Sequence, residues 1–260
     1  MIKMNKNISY LKREILKVAY ETQEGHIPSA FSILDILYVL YNKVLKIDPQ
    51  NPKKLDRDYF IMSKGHAAIG LYAVLADKGF ISKEELYTFG KYNSRLGGHP
   101  DKNKVPGVEA STGSLGHGLP MAVGIAMGIK IKNSQQKVYC LIGDGELNEG
   151  SMWESIIIAS QLKLDNLTMI VDYNHSIDRS VVWGNLVEKL NNFEWYANEC
   201  DGHNQEELFK LLINNRIEKP KVIIANTIKG FGCRSLENNP AWHHRAPNRE
   251  ELQELLEELE

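Results

Sequence analysis

The chain reads as an α/β protein with a mostly parallel β-sheet and helices on both faces. Three observations predict this. The apolar runs at 58–63, 137–142, 166–172 and 221–227 are nearly continuous rather than alternating, as in strands buried on both faces. Helical periodicity fills the gaps between them, which gives a strand–helix alternation. Glycine and polar residues gather just after several of these runs, where parallel strands present their carboxyl ends to ligands.

The elements follow in order. Ile8, Leu11, Ile15, Val18 and Ala19 are spaced by 3 and 4 and predict an amphipathic helix over 7–24, closed by Gly25-His26-Ile27-Pro28. Residues 32–45 predict a second helix, and Asp48-Pro49-Gln50-Asn51-Pro52 a loop. A short strand at 58–63 ends at Lys64-Gly65-His66, and a small-residue helix covers 67–79. Ser82-Lys83-Glu84-Glu85 resembles a capping box that opens another helix. Residues 93–116, rich in glycine and polar residues, form a long loop region of the kind that carries function. A buried helix spans 118–130. Strand 137–142, helix 151–162 and strand 166–172 follow, then a helix at 205–216 and strand 221–227. Leu252, Leu255, Leu256 and Leu259 share one face of a C-terminal helix at about 248–260, docked on the body or on a partner.

Composition narrows the function classes. Of 260 residues, 43% are hydrophobic and 25% charged, with a formal net charge of −2. These values suit a single soluble domain over 1–260. Lys and Arg are scattered, which argues against a nucleic-acid partner. Cys140, Cys200 and Cys233 are widely spaced and read as buried or free thiols of a reducing compartment. No apolar run approaches the roughly 20 residues of a membrane helix, and the charged N-terminus has no signal-peptide core. The expected location is the cytoplasm, with no membrane partner.

The run 137–142 ends in Gly143-Asp144-Gly145, and 30 residues after Asp144 the next run ends in Asn174. One carboxylate and one amide oxygen thus stand at the ends of two neighbouring strands. Mg²⁺ takes about six oxygens, usually only one or two of them from carboxylates, and leaves the rest to phosphates and water. The intervening helix also offers an N-terminus suited to an anion. A cation-held diphosphate fits, which makes thiamine diphosphate a candidate. Glu146 and Glu149 read as helix-start charges or subunit contacts rather than ligands. Five of eight histidines directly follow glycine: His26, His66, His99, His117 and His203. Neutral imidazoles there can bond phosphate or sugar oxygens and move protons near neutral pH. His203 is the weakest candidate because it precedes a helix, and His175 is free to face solvent.

Together these segments resemble the N-terminal, diphosphate-binding half of transketolase. The carriers, in chain order, begin with Gly25-His26-Ile27-Pro28, Ser63-Lys64-Gly65-His66 and Gly98-His99-Pro100. Ser111 to Gly118, Gly143-Asp144-Gly145-Glu146 with Glu149-Gly150, and Asp172-Tyr173-Asn174 come next. Lys229-Gly230-Phe231-Gly232 and Trp242-His243 complete the series. The resemblance implies a thiamine diphosphate-binding fold. It implies that Asp144 and Asn174 hold Mg²⁺ (or Ca²⁺), with the backbone carbonyl of Ser176. It implies that His66, Gly113, Ser114, Leu115, Gly145 and Asn174 bind thiamine diphosphate. His26, His99 and His243 would face the reacting centre and the sugar hydroxyls, with His244 as the alternative to His243.

The resemblance also implies transfer of a two-carbon ketol unit from a ketose, or its phosphate, to an aldose. The family's cofactor-activating glutamate lies in a pyrimidine-binding domain that nothing after residue 250 would supply. The expectation is therefore an N-terminal subunit of a two-chain transketolase. It would be active only with a partner chain carrying that domain, in an α2β2 heterotetramer. Three departures stand out: a loop 174–179 about one residue shorter with Arg179 at a usual glycine, His117 for glutamine, and Ser114 for a frequent proline. The alternatives are an α-type subunit of a 2-oxo acid dehydrogenase and a non-catalytic subunit that keeps the fold.

Overall fold

The structure, a computed structural model, describes residues 6–178, 181–214 and 218–259. Arg179, the end of the expected 205–216 helix and Glu260 lie outside them. The strands are β1 Tyr59–Met62, β2 Val138–Gly143, β3 Leu167–Tyr173, β4 Tyr196–Asp201 and β5 Lys221–Asn226. The helices are α1 Lys6–Thr22, α2 Ile27–Val39, α3 Ala68–Lys78, α4 Lys83–Leu86 and α5 Gly118–Ile131. α6 Gly150–Gln161, α7 Leu186–Asn192, α8 Gln205–Ile213 and α9 Arg249–Glu257 complete the set. The sheet order is β1-β2-β3-β5-β4, and every pair is parallel.

Successive strand residues feed two separate cores, which is why the strands read as continuous apolar runs. Val138, Cys140, Ile142, Met169, Val171, Val222 and Ile224 pack with α5, α6 and α7. Tyr139, Leu141, Ile170, Ile223 and Ala225 pack on the other face with α1, α2, α3, α8 and α9. Each fully buried Val, Ile or Leu contributes about 1.5–3 kcal/mol, so one wrong register would strand both faces at once.

The expected strands appear within a residue or two of their sequence bounds. The second helix starts at Ile27, not at 32, because Pro28 sits in the first turn, where its fixed φ and missing N–H are harmless. Its last turn, Leu40–Val44, widens into a π-helix. α7 and β4 had no sequence signal. β4 is an edge strand, and Asn198, Glu199 and Asp201 depart from strand preference. The Ser82 capping box is half formed: Ser82 accepts from the Glu85 N–H at 3.1 Å, while the Glu85 carboxylate grips Arg95. The complete box is at Asn248 and Glu251, opening α9. α9 docks on the body, where the Arg13 guanidinium donates to the Leu256 carbonyl at 2.8 Å. All three cysteines are buried and unpaired. No helix among the described residues is long and apolar enough to cross a membrane.

Candidate cofactor and metal site

The carboxyl ends of β1, β2, β3 and β5, four neighbours in the sheet, deliver Ser63-Lys64, Asp144, Asn174 and Thr227 to one edge. Asp144 is buried. Its Oδ1 accepts from the Gly145 N–H at 2.7 Å, while its Oδ2 is buried with no hydrogen-bond partner. Burial, with the Asp172 charge nearby, pushes the Asp144 carboxyl above its usual range against the pull of Gly145 and Lys64. An orphaned buried acceptor costs a few kcal/mol, and a cation would relieve it.

Asn174 is oriented by Asp172. Its Nδ2 donates to Asp172 Oδ2 at 2.9 Å, and its Oδ1 accepts from the Ser176 N–H at 3.1 Å and from the Ser176 hydroxyl. The same Ser176 N–H bears on the Asp144 carboxylate, so the two oxygen donors are close neighbours. Asp172 is itself held by Lys64, by the Ser32 hydroxyl at 2.8 Å and by the Thr227 hydroxyl.

Glu146 is not a surface charge. It is buried, its Oε1 accepting from the Ser63 hydroxyl and from the Gly116 N–H at 2.8 Å. One carboxylate therefore ties three loops together: 63–66, 113–117 and 143–146. Tight contact completes the join, because a Cβ on Gly118 would lie 2.3 Å from the Ser63 Cβ. Gly113 has φ +155°, and a Cβ there would come within 3.0 Å of the His99 ring. Ser114 and Leu115 lie exposed between the His99 and Glu146 anchors.

The histidines of the expected site converge. His26 lies 5.3 Å from His66, 5.4 Å from His243 and 4.4 Å from His244, ring centre to ring centre. His99 is near enough to act electrostatically on His26. Partial burial and the neighbouring imidazoles push His26 down to about 4, while burial and Lys64 push His66 far below the ordinary imidazole value. His243 is lowered by partial burial, Lys229 and His244. His26, His66 and His243 are thus held neutral at pH 7, ready to share hydrogen bonds with hydroxyls.

Lys229 joins the two ends of the site. Its ammonium reaches His243 Nδ1 at 3.3 Å and Ser176 Oγ at 3.4 Å. Three other histidines stay apart. His203 is buried, set between Asp35 Oδ2 at 3.2 Å and the Ile228 N–H at 2.9 Å. His175 pairs with Asp178 at 2.8 Å. His117 is exposed at the start of α5, its Nδ1 3.0 Å from the Leu115 carbonyl.

A parallel α/β chain with one orphaned carboxylate, an oriented amide and a neutral imidazole cluster at its strand ends belongs to the class of cofactor-dependent enzymes. Comparison with known proteins specifies which. Residues 4–259 match the family model of the transketolase thiamine diphosphate binding domain. Over 263 residues the chain is 41% identical to one subunit of the apulose-4-phosphate transketolase of Actinobacillus succinogenes, covering 98% of this chain and 95% of that one. It is 38% identical to human transketolase over 241 residues, 90% of this chain but 38% of the human one. A transketolase crystal structure from Campylobacter jejuni superposes with a TM-score of 0.90 at 31% identity, over 98% of this chain and 43% of that one. The chain belongs to the transketolase family of enzymes.

Proposed function

We propose that this subunit binds thiamine diphosphate with Mg²⁺ and, with a partner chain, transfers a two-carbon ketol unit between sugars. The observation that carries the reading is the partnerless buried oxygen of Asp144 beside the oriented Asn174 amide. Among the described residues no three His, Cys, Asp or Glu side chains cluster as a complete metal cage. That suits an ion completed by diphosphate oxygens and water. Asp144 and Asn174 would hold the metal, with Asn174 exchanging its bonds to Ser176 for the ion and the Ser176 carbonyl as the backbone ligand. The Lys229 ammonium would meet the diphosphate. His66, Gly113, Ser114, Leu115 and Gly145 would line the cofactor.

When bound, thiamine diphosphate supplies the electron sink for carbon–carbon cleavage and formation. This chain's residues supply positioning and proton handling. His26, His99 and His243 hydrogen-bond the sugar hydroxyls and carry the proton of the reacting hydroxyl, with His26 and His243 poised neutral. The group that activates the cofactor's reactive ring is assigned to the partner chain. The names of two relatives support this reading. One, from Actinobacillus succinogenes, belongs to an apulose-4-phosphate transketolase, and one, from a Clostridium strain, to a 6-deoxy-6-sulfo-D-fructose transketolase; both are single subunits. Sugar phosphates are accordingly the first substrates to assay.

The test is ketol transfer by the complex recovered on tagged chain from its native cells. Activity dependent on Mg²⁺ and thiamine diphosphate in the complex, and absent from the isolated chain, is expected. Equal activity from the isolated chain would refute the two-chain assignment. Decarboxylation of 2-oxo acids without ketol transfer would refute the reaction.

A further inference from the structure

His244 and Glu24 make a pair at the open side of the histidine cluster. The His244 ring stacks on His26, with centroids 4.4 Å apart and planes 23° from parallel. Its Nε2 lies 3.3 Å from Glu24 Oε2. The two side chains come from distant segments, Glu24 from the turn before α2 and His244 from the segment before α9. Both are about half exposed, His244 at 56% and Glu24 at 49%, so the pair is open to a ligand while one member touches the cluster.

The backbone holds this arrangement from both sides. Gly25, between Glu24 and His26, has φ +132°, a conformation that side-chain-bearing residues rarely adopt. Gly90 leaves room beneath Glu24, since a Cβ there would lie 3.1 Å from the Glu24 Cγ. His66 and His243 meet the His26 ring edgewise, and His244 covers its face.

We propose that His244 and Glu24 form a sugar-hydroxyl subsite beside His26, which selects polyhydroxylated aldose acceptors. This rests on the ketol-transfer reading. A carboxylate can only accept, so the His244 Nε2–H donates to Glu24 Oε2, and His244 Nδ1 and Glu24 Oε1 are left for other partners. Each side chain thus has one further polar atom to offer. Together they bond two hydroxyls on adjacent carbons, a pattern that a polyhydroxylated chain supplies and a short aldehyde does not. A carboxylate at this position also repels a phosphate. The subsite accordingly reads the neutral, hydroxyl-bearing stretch of the sugar and leaves any phosphate to another part of the complex.

The experiment is steady-state kinetics of the complex with three aldose acceptors: glycolaldehyde, D-erythrose and D-ribose 5-phosphate. His244→Ala is expected to raise KM for the two longer acceptors about tenfold, the equivalent of one good hydrogen bond. Glycolaldehyde, with a single hydroxyl, cannot use both atoms of the pair, so its KM is expected to rise clearly less than that of the longer acceptors. Glu24→Gln retains an oxygen acceptor and is expected to cost about threefold, in the same order of acceptors. Both positions are surface-exposed, so the variants fold. Ketol transfer by the wild-type complex with equal KM changes for all three acceptors, or none, overturns the subsite alone. No ketol transfer by the wild-type complex overturns the functional reading and the subsite with it.

Discussion

Lys64 and Asp172 form an ion pair closed to solvent, their side chains 2% and 0% exposed. The pair ties the end of β1 to the end of β3 and sits directly behind Asn174. Burial pushes the Asp172 carboxyl up, yet Lys64 and the hydroxyls of Thr227 and Ser32 outweigh it and hold it below the usual range. Removing one partner of such a pair leaves a buried charge facing only neutral donors. Lys64→Met is therefore expected to lower stability by about 3–5 kcal/mol. Urea unfolding of the variant checks this, and an unchanged midpoint contradicts it.

Asp144 separates stability from function. Its Oδ2 has no partner and only its Oδ1 is held, by the Gly145 N–H, so neutralising it removes a buried charge that the protein satisfies only in part. Asp144→Asn is expected to leave the melting temperature unchanged or higher, while Mg²⁺-dependent binding of thiamine diphosphate is lost. Because its carboxyl sits above the ordinary range, Mg²⁺ affinity in the wild type should also fall on mild acidification, as protons compete for the carboxylate. Calorimetric titration of the complex at two pH values, with the variant in parallel, measures both effects. Wild-type binding independent of Asp144 would rule out its role as a ligand.

Strands β1, β2, β3 and β5 were legible in the sequence because burial on both faces demands unbroken apolar runs. Asp144 and Asn174 were legible because glycine and polar residues ended two of those runs. Glu146 was not, since a glutamate at a helix start looks like a solvated cap. Only the fold shows that Ser63 and Gly116 close around it. Nor did the sequence single out Lys64, because its partner Asp172 lies 108 positions away. β4 escaped because an edge strand tolerates polar residues. The Gly-His pattern collected His203 with the site histidines, although its Asp35 and Ile228 partners make it a strut.

Glu146 is expected to behave as a joint rather than a ligand. Glu146→Gln keeps one oxygen for the Ser63 and Gly116 donors, which share Oε1, but loses the charge that strengthens both bonds and sets an amide NH2 towards the Gly143 N–H. A loss of about 1–3 kcal/mol is expected, with protease cleavage appearing first in the 111–117 loop that the Gly116 bond secures. Limited proteolysis followed by mass spectrometry reads this directly. Cleavage confined to other segments would argue against the joint.

His26 gives the fold a signature on the acid side of neutrality. Its value is about 4 in the folded chain against 6.5 as the ordinary imidazole. Between those two pH values the unfolded chain binds a proton at this residue and the folded chain does not. Stability therefore rises with pH across that window and is lost as pH falls from 6.5 towards 4. Because the ring is partly exposed, solvent screening reduces the effect to the order of 1 kcal/mol. Asp144 and Glu146, both raised by burial, act in the opposite sense just above the carboxylate range, so the net profile of the wild type mixes the two. His26→Gln isolates the imidazole, since glutamine does not titrate and leaves both carboxylates in place. Urea midpoints at about pH 7 and about pH 4.5, on either side of most of that window, should differ less in the variant than in the wild type. An equal difference in both would mean that His26 titrates normally, and that the packed imidazoles around it do not exclude its charge.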